Sequence, residues 1–167
     1  MVKTIYLLRH AKSDHSDGSL TDKQRPLNER GKRDSLLMGK AIPNLINSNT
    51  TWVGSSTSVR TRQTLSPLYG SWIRENDIHW KDDLYAFSSG NYHDTLKSIP
   101  EEYDQCLICG HNPSIEEFIE ELTGATCRIG TSFLICIESY AGSWKNITYD
   151  SGTLRWILSP KVLHALS

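Results

Sequence analysis

Long apolar runs and an excess of either charge are both missing from this sequence of 167 residues. Its formal net charge is −1 at pH 7, whereas a broad nucleic-acid-binding face requires a strongly basic surface. The N-terminal stretch MVKTIYLLRHAKS contains an apolar run far shorter than the about 20 residues that cross a bilayer, and it lacks the pattern of a signal peptide. We therefore expect a cytoplasmic protein that binds neither nucleic acid nor a membrane.

Motifs for nucleotides and metals are also missing. The sequence has no Walker-type GKS and no cluster of aspartates that would hold Mg²⁺, so we expect no cofactor and no metal. It has no repeats, low-complexity tracts or linkers, and its 38% hydrophobic and 22% charged residues are typical of a globular protein. We expect a single domain over residues 1–167 that acts as a monomer.

The sequence has four cysteines, Cys106, Cys109, Cys127 and Cys136. The C-x-x-C formed by the first two is a pattern of redox and zinc sites. It lies in QCLICGH, however, which has the pattern of a buried strand instead of the loop before a helix, and a zinc ion would need further ligands. We interpret all four cysteines as small apolar core residues.

Apolar runs that favour strands alternate with helical patterns along the chain. Six runs predict strands, the third weak and the last two forming a hairpin: KTIYLLRH, TWVGSST, DIHWKDDLY, YDQCLICGH, SFLICIES and GTLRWILS. This alternation predicts an α/β fold, a three-layer sandwich in which helices flank a mostly parallel central sheet. In such sheets ligands bind beyond the carboxyl ends of the strands, so reactive residues are expected there.

Capping residues and apolar spacing predict four helices. The first begins after Asn28, runs to about residue 46 and should be kinked or interrupted at Pro43. The second opens near Ser58 and is disturbed by Pro67, and the third covers about residues 92–99.

The fourth helix has the clearest signals, in the stretch NPSIEEFIEELTG. Asn112 should be its cap, Pro113 its first residue and Gly124 the residue just past its end.

Cations and imidazoles stand at the ends of three predicted strands. Arg9 and His10 end the first, Arg60 lies in the first turn of the helix after the second, and His111 ends the fourth at a helix N-terminus. A helix N-terminus adds unpaired N–H groups and positive potential, which suit phosphate. Each residue alone has an ordinary structural explanation, but four at one edge of a sheet indicate an anion site.

Four motifs follow one another along the chain: LLRHAKS, DKQRPLNERG (residues 22–31), SSTSVRTRQT and ICGHNPSI. The first, third and fourth resemble the R-H-[GA], S-x-x-x-R-[TA]-x-x-T and G-H-N-P signatures of the histidine phosphatase superfamily, also called the phosphoglycerate-mutase-like proteins. The second resembles the D-x-x-R-P-L-x-x-R-G of its small SixA-type branch, the phosphohistidine phosphatases. The resemblance extends from about residue 3 to the final strand, without a lid insertion.

The resemblance implies a phosphoglycerate-mutase-like fold and a phosphatase that works through a phosphohistidine intermediate. His10 would be the nucleophile, and Arg9, Arg60 and His111 would line the phosphate pocket. Arg25, from the R-P-L motif, would be an additional phosphate or substrate contact.

The chemistry of phosphoryl transfer agrees with these roles, because it depends on positioning and on stabilising charge on three equatorial oxygens. Arginine forks match those oxygens. A neutral His10 can attack if an acceptor, such as a backbone carbonyl of the following loop, holds its other N–H. Neighbouring arginines should also lower the pKa of His10 and keep it neutral near pH 7.

One expected feature is absent from the motif pattern. Many superfamily phosphatases carry an acid after the third strand to protonate the leaving group, but the expected position here reads Tyr85-Ala86 in DDLYAFSSG, with Asp82 and Asp83 slightly upstream. An alkoxide leaving group depends on such an acid, typically by ~10²–10⁴ in rate. The imidazole that leaves phosphohistidine, with a pKa of about 6.5, demands far less.

Three functions follow from these patterns. The favoured one is a phosphatase that acts on phosphohistidine in a protein, which an open site without a lid would accommodate. The second is a small-molecule phosphomonoesterase with Asp82 or Asp83 as its acid. The third is an inactive phosphate-binding module, although the intact set of arginines and histidines argues against it.

Overall fold

A six-stranded sheet runs through the computed structural model, which describes residues 1–85 and 88–166. Its strands are β1 (Lys3–Arg9), β2 (Thr51–Ser56), β3 (His79–Lys81), β4 (Gln105–Gly110), β5 (Leu134–Ser139) and β6 (Gly152–Leu158). The α-helices of the described ranges are α1 (Glu29–Leu45), α2 (Val59–Leu65), α3 (Gly90–Lys97), α4 (Ser114–Thr123) and α5 (Pro160–Leu166). None of these helices is long and apolar enough to cross a membrane.

The strand order of the sheet is β3-β2-β4-β1-β5-β6. The pairs β1–β4, β2–β4 and β2–β3 are parallel, while β5 runs antiparallel to both β1 and β6. The prediction of a mostly parallel sheet closed by a hairpin is confirmed. Because β1, β2 and β4 are parallel neighbours, their carboxyl ends meet at one edge of the sheet.

The core lies on both faces of the sheet, since β1 is apolar at consecutive positions. Ile5 and Leu7 pack in a cluster with residues of α3 and α4, whereas Tyr6 and Leu8 pack in a second cluster with residues of α1, α2 and α5. Successive side chains of a strand point to opposite faces, so a run without polar residues requires helices on both sides. The three-layer sandwich is therefore confirmed.

Two predicted features of the first helices have different outcomes. The Asn28 side chain accepts a hydrogen bond from the backbone N–H of Gly31 at 2.9 Å, which confirms it as the cap of α1. The first helix is not interrupted at Pro43, because α1 continues to Leu45; the alternative, a kink there, stays a prediction. Pro43 lacks the N–H that would donate to the preceding turn, and only two residues of the helix follow it, so little of the helix depends on that turn. After α2 the chain tightens into a 3₁₀ turn that contains Pro67, as predicted.

The start of α4 differs from the prediction. The helix begins at Ser114, so Pro113 precedes it and Asn112 is not its cap. Asn112 instead donates hydrogen bonds from Nδ2 to Glu116 Oε1 at 2.7 Å and to the carbonyl of Ile129 at 3.0 Å, which ties α4 to the loop before β5. Gly124 follows the helix with φ +72°, in the left-handed region that glycine favours, as predicted.

The C-x-x-C pattern lies in β4, and its interpretation as a buried strand is confirmed. Cys106 and Cys109 are fully buried in the clusters on opposite faces of the sheet. Cys136 is buried in the second cluster, whereas Cys127 is half-buried at the margin of the first. In the described ranges no group of three or more histidine, cysteine or acidic side chains is placed to hold a metal ion.

Candidate active site

The predicted site residues come together at the carboxyl edge of the sheet. Arg9 is the last residue of β1 and His10 follows it, Arg60 lies in the first turn of α2, and His111 follows β4. The Arg60 Nε atom is 3.3 Å from His10 Nε2, and Arg60 Nη2 is 3.3 Å from His111 Nδ1. Together with Arg25, these four residues line a cavity of about 250 Å³, called here the reaction cavity.

The orientation of the His10 ring is fixed by the backbone. Its Nδ1 lies 2.7 Å from the carbonyl oxygen of Ala11, so Nδ1–H donates there and the lone pair remains on Nε2. That lone pair accepts from Arg60 Nε–H. The backbone is held in turn, because the N–H of His10 donates to the carbonyl of Gly110 at 3.1 Å and that of Ala11 to Thr64 Oγ1 at 2.9 Å. A backbone acceptor in the following loop is what the sequence predicted.

Both histidines of the cavity are neutral near pH 7. Burial lowers the pKa of His10 to about 3; the hydrogen bond to Ala11 opposes this shift, and the neighbouring arginines Arg60, Arg9 and Arg25 add to it. Burial likewise lowers the pKa of His111 to about 2, with further contributions from His10 and the same arginines except Arg25. The prediction that His10 is neutral is confirmed in direction, although burial contributes more than the arginines.

We expect the free energy of unfolding to fall as the pH is lowered from about 7 to about 4. Between about 6.5, the ordinary pKa of histidine, and the lower folded-state pKa values of His10 and His111, the unfolded chain binds protons that the folded chain does not. The stability that depends on the neutral rings is therefore complete above pH ~6.5 and is lost below it. Urea unfolding over this pH range measures the slope, which His10→Asn and His111→Asn should each make shallower. An unchanged slope in both variants would contradict this explanation.

Arg60 is held by Asp22, a residue to which sequence reasoning gave no role. Arg60 donates to the Asp22 backbone carbonyl at 2.5 Å and to Asp22 Oδ2 at 2.9 Å. Tyr85 donates its hydroxyl to the same Oδ2 at 2.7 Å, and Arg25 forms an ion pair with Asp22. The available signal was the first position of DKQRPLNERG, which carries the aspartate of the SixA-type motif.

His111 is positioned by two residues that also lacked a predicted role. Its Nδ1 faces Arg60, so Nε2–H donates to Ser56 Oγ at 2.8 Å. Its backbone N–H donates to the hydroxyl of Tyr92 at 3.2 Å. A Cβ at Gly110 would overlap that hydroxyl, which explains the need for glycine just before His111.

Two arginines that line the reaction cavity each have an Nε–H donor without a partner among the described residues. Arg9 donates from Nη1 to the carbonyl of Ile129 at 2.6 Å, whereas its Nε has no partner in the described part of the chain. The buried Nε atoms of both Arg9 and Arg25 have no acceptor among the residues that the structure describes. Buried donors of this kind are costly when they have no acceptor.

The two aspartates considered as leaving-group acids do not line the reaction cavity. Asp82 is paired with Lys23 at 2.6 Å and hydrogen-bonded to Thr57; these contacts lower the pKa of Asp82 and oppose a role as proton donor. Asp83 also lies in the turn after β3, and its backbone carbonyl accepts from Asn91. The expected acid position falls partly on Ala86, which lies outside the described residues.

A histidine flanked by arginines at the carboxyl edge of a parallel sheet is typical of α/β proteins that bind phosphate. Within that class, the chain belongs to the histidine phosphatase superfamily, because the family model of its branch 1 matches residues 5–158. The activity of the family is that of a phosphatase.

Individual comparisons agree with this assignment. An uncharacterized protein of Mycobacterium leprae is 30% identical over 159 residues, which cover 88% of this chain and 96% of the relative. The structure of SixA from Nakamurella multipartitia has a TM-score of 0.81 at 22% identity and covers 96% of this chain and 97% of its own. The protein histidine phosphatase SixA complexed with tungstate has a TM-score of 0.78 at 20% identity, with 96% and 99% covered. At these identities the two structures establish the shared fold.

Proposed function

We propose that the chain is a phosphohistidine phosphatase that acts on proteins, with His10 Nε2 as its nucleophile. The observation that carries the proposal is the fixed ring of His10, whose Nδ1–H is bound by the Ala11 carbonyl and whose Nε2 lone pair points into an arginine-lined cavity. The proposal takes residues 1–167 as one catalytic domain without a lid insertion, acting as a monomer without a metal or other cofactor.

The proposed reaction has two displacements at phosphorus. In the first, the Nε2 lone pair of His10 forms a bond to phosphorus while the bond from phosphorus to the substrate nitrogen breaks, and the substrate imidazole leaves with that electron pair. In the second, water attacks phosphorus, loses a proton to solvent and releases inorganic phosphate, and His10 recovers its lone pair. Each step passes through a transition state with charge on three equatorial oxygens.

The arginines supply most of the proposed stabilisation. Arg60 lies within hydrogen-bond reach of the attacking nitrogen, and Arg9 and Arg25 line the same cavity. Fixed donors aimed at developing charge stabilise a transition state without reorganising during the step. His111 is neutral and touches Arg60, so we propose that it completes the phosphate pocket and positions that guanidinium.

The proposed substrate follows from the acids at the site. Asp82 and Asp83 lie off the reaction cavity, and Asp22, the acidic residue among its described lining residues, is engaged as an anion by Arg60 and Arg25. Among the residues that the structure describes, no carboxylic acid of this cavity is therefore free to protonate an alkoxide leaving group. An imidazole leaving group requires much less assistance, which favours P–N bonds over alkyl phosphate esters.

A side-by-side assay tests this proposal. We expect phosphate release from a phosphohistidine phosphotransfer domain to exceed release from a phosphoserine peptide by at least ~10²-fold in kcat/KM, because only the ester needs the missing acid. Faster cleavage of the phosphoserine peptide would contradict the proposal and favour a small-molecule phosphomonoesterase. In that case Asp82→Asn and Asp83→Asn would identify the acid. Binding of phosphate without turnover of any donor would favour an inactive binding module.

A further inference from the structure

A second and larger cavity, of about 720 Å³, adjoins the reaction cavity. The two cavities share Arg9, Lys12 and Thr131 in their walls. The larger one extends from there between α1 and α5, over a floor that includes Phe133 and Pro160. A ligand that reaches His10 can therefore extend directly into this second space.

The walls of the second cavity concentrate positive charge. We call it the basic groove, defined by five cationic residues: Arg9, Lys12, Arg30, Arg33 and Lys161. The chain as a whole has a formal net charge of −1, so this concentration is local.

One carboxylate, that of Asp34, lies among the described lining residues of the groove. The Asp34 side chain is buried and has two basic neighbours. Arg30 Nε lies 3.5 Å from its Oδ2, and His164 Nε2 lies 3.7 Å from its Oδ1. Among the described lining residues, no further carboxylate is therefore present to offset the positive charge of the remaining cations of the groove.

Three of these cations are available to a partner. The side chains of Lys12, Arg33 and Lys161 are exposed, and no carboxylate in the described ranges lies within 4.0 Å of their nitrogen atoms. Exposed cations grouped around a cleft raise the local concentration of anionic partners.

The cations are spread out instead of converging on one point. Arg30 and Arg33 are three residues apart on α1, which places their side chains on one face about 5–6 Å apart at Cβ. Lys161 reaches the groove from α5, on its other side, and Lys12 lies at the junction with the reaction cavity. This arrangement fits an extended surface that carries several carboxylates better than a single compact anion.

We propose that the basic groove docks an acidic surface of the phosphoprotein substrate, next to the phosphohistidine that enters the reaction cavity. This inference rests on the proposed function and adds the character of the partner: a protein whose phosphohistidine is flanked by aspartate and glutamate. Charges at the margin of an interface act mainly on association and on its salt dependence. The groove cations that do not line the reaction cavity, such as Arg33 and Lys161, therefore affect KM and kcat/KM for the phosphoprotein and leave kcat for small substrates unchanged.

The test compares two phosphohistidine phosphotransfer domains, one with acidic residues around the phosphohistidine and one with those residues changed to their amides. Each is assayed with the wild type, with Arg33→Glu/Lys161→Glu, and with the matched control Lys40→Glu/Lys145→Glu. Lys40 and Lys145 are exposed and line neither cavity, so the control has the same change in net charge. Free phosphohistidine serves as the small substrate, and thermal unfolding shows whether each variant is folded.

We expect the wild type and the control to prefer the acidic domain by at least ~10-fold in kcat/KM at low salt, and the groove variant to lose this preference. Activity on free phosphohistidine should be unchanged in all three. Equal cleavage of both domains by the wild type would overturn the docking inference while leaving the proposed function intact. Cleavage of neither domain, with turnover of small esters, would instead overturn the proposed function.

Discussion

Replacing His10 by alanine is expected to lower phosphatase activity by at least ~10⁴-fold, because the proposed covalent intermediate forms on this side chain. His10 lines the reaction cavity, and its Nε2 is kept unprotonated because Nδ1–H is bound by the Ala11 carbonyl. We expect His111 not to substitute for it, since the R-H-[GA] signature that carries the nucleophile matches Arg9-His10-Ala11.

The intermediate itself provides a second measurement. Wild-type protein mixed with a ³²P-labelled phosphohistidine donor and denatured in alkali should retain label on one histidine, and the label should be released by acid, as expected of a P–N bond. His10→Ala should retain none. The matched control is His79→Ala, since His79 lies in β3 at the edge of the sheet and stacks on Trp52, outside the reaction cavity. Label on His10→Ala, or equal losses of activity in the two variants, would contradict the role of His10.

The positions of Arg9, His10, Arg60 and His111 could be predicted from the sequence because they depend on one topological rule. Each lies at the end of a strand or shortly after it, and the strands β1, β2 and β4 are recognisable as short apolar runs that become parallel neighbours. Their carboxyl ends must then share an edge. Local patterns and one rule of sheet architecture were sufficient for this part of the site.

The remaining contacts depend on loops that no periodic pattern describes. Asp22 reaches Arg60 because the segment between β1 and α1 folds back over the edge of the sheet, a contact across 38 residues of sequence. Tyr85 reaches Asp22 across 63 residues. Asp82 is close to the expected acid position along the chain, yet the turn after β3 directs its carboxylate to Lys23. Sequence spacing predicts proximity along one element and not the direction that a loop takes.

The short helix α5 was not predicted, for a different reason. Its seven residues, PKVLHAL, are too few to show an apolar period. Proline at its first position was the available signal, because proline is favoured there. Leu163 packs against the second core cluster, so tertiary packing and not local propensity accounts for the helix. The wall of the basic groove that α5 forms could therefore not be predicted from the sequence pattern.

Replacing Arg60 by alanine is expected to lower kcat/KM by about 10³-fold, since loss of a single oxyanion donor already costs about 10²–10³. Arg60 contacts Nε2 of His10, Nδ1 of His111 and Asp22, so it joins the nucleophile to the rest of the pocket. Arg62→Ala is the matched control. Arg62 is on the same helix, but it is half exposed, pairs with Glu75 at 3.7 Å and lies over the ring of Trp80.

Arg60→Lys separates charge from geometry at this position. Lysine retains the positive charge but lacks the planar fork, so it cannot face His10 and Asp22 with fixed donors at once. If the fork aligns the phosphoryl group for attack, the lysine variant should lose kcat while inhibition by inorganic phosphate is largely retained. The alanine variant should lose both, and thermal unfolding of each variant reports the cost of leaving Asp22 without this partner. Full activity in Arg60→Lys would show that charge alone is sufficient, and the network built around Asp22 would then stabilise the loop without orienting the reaction.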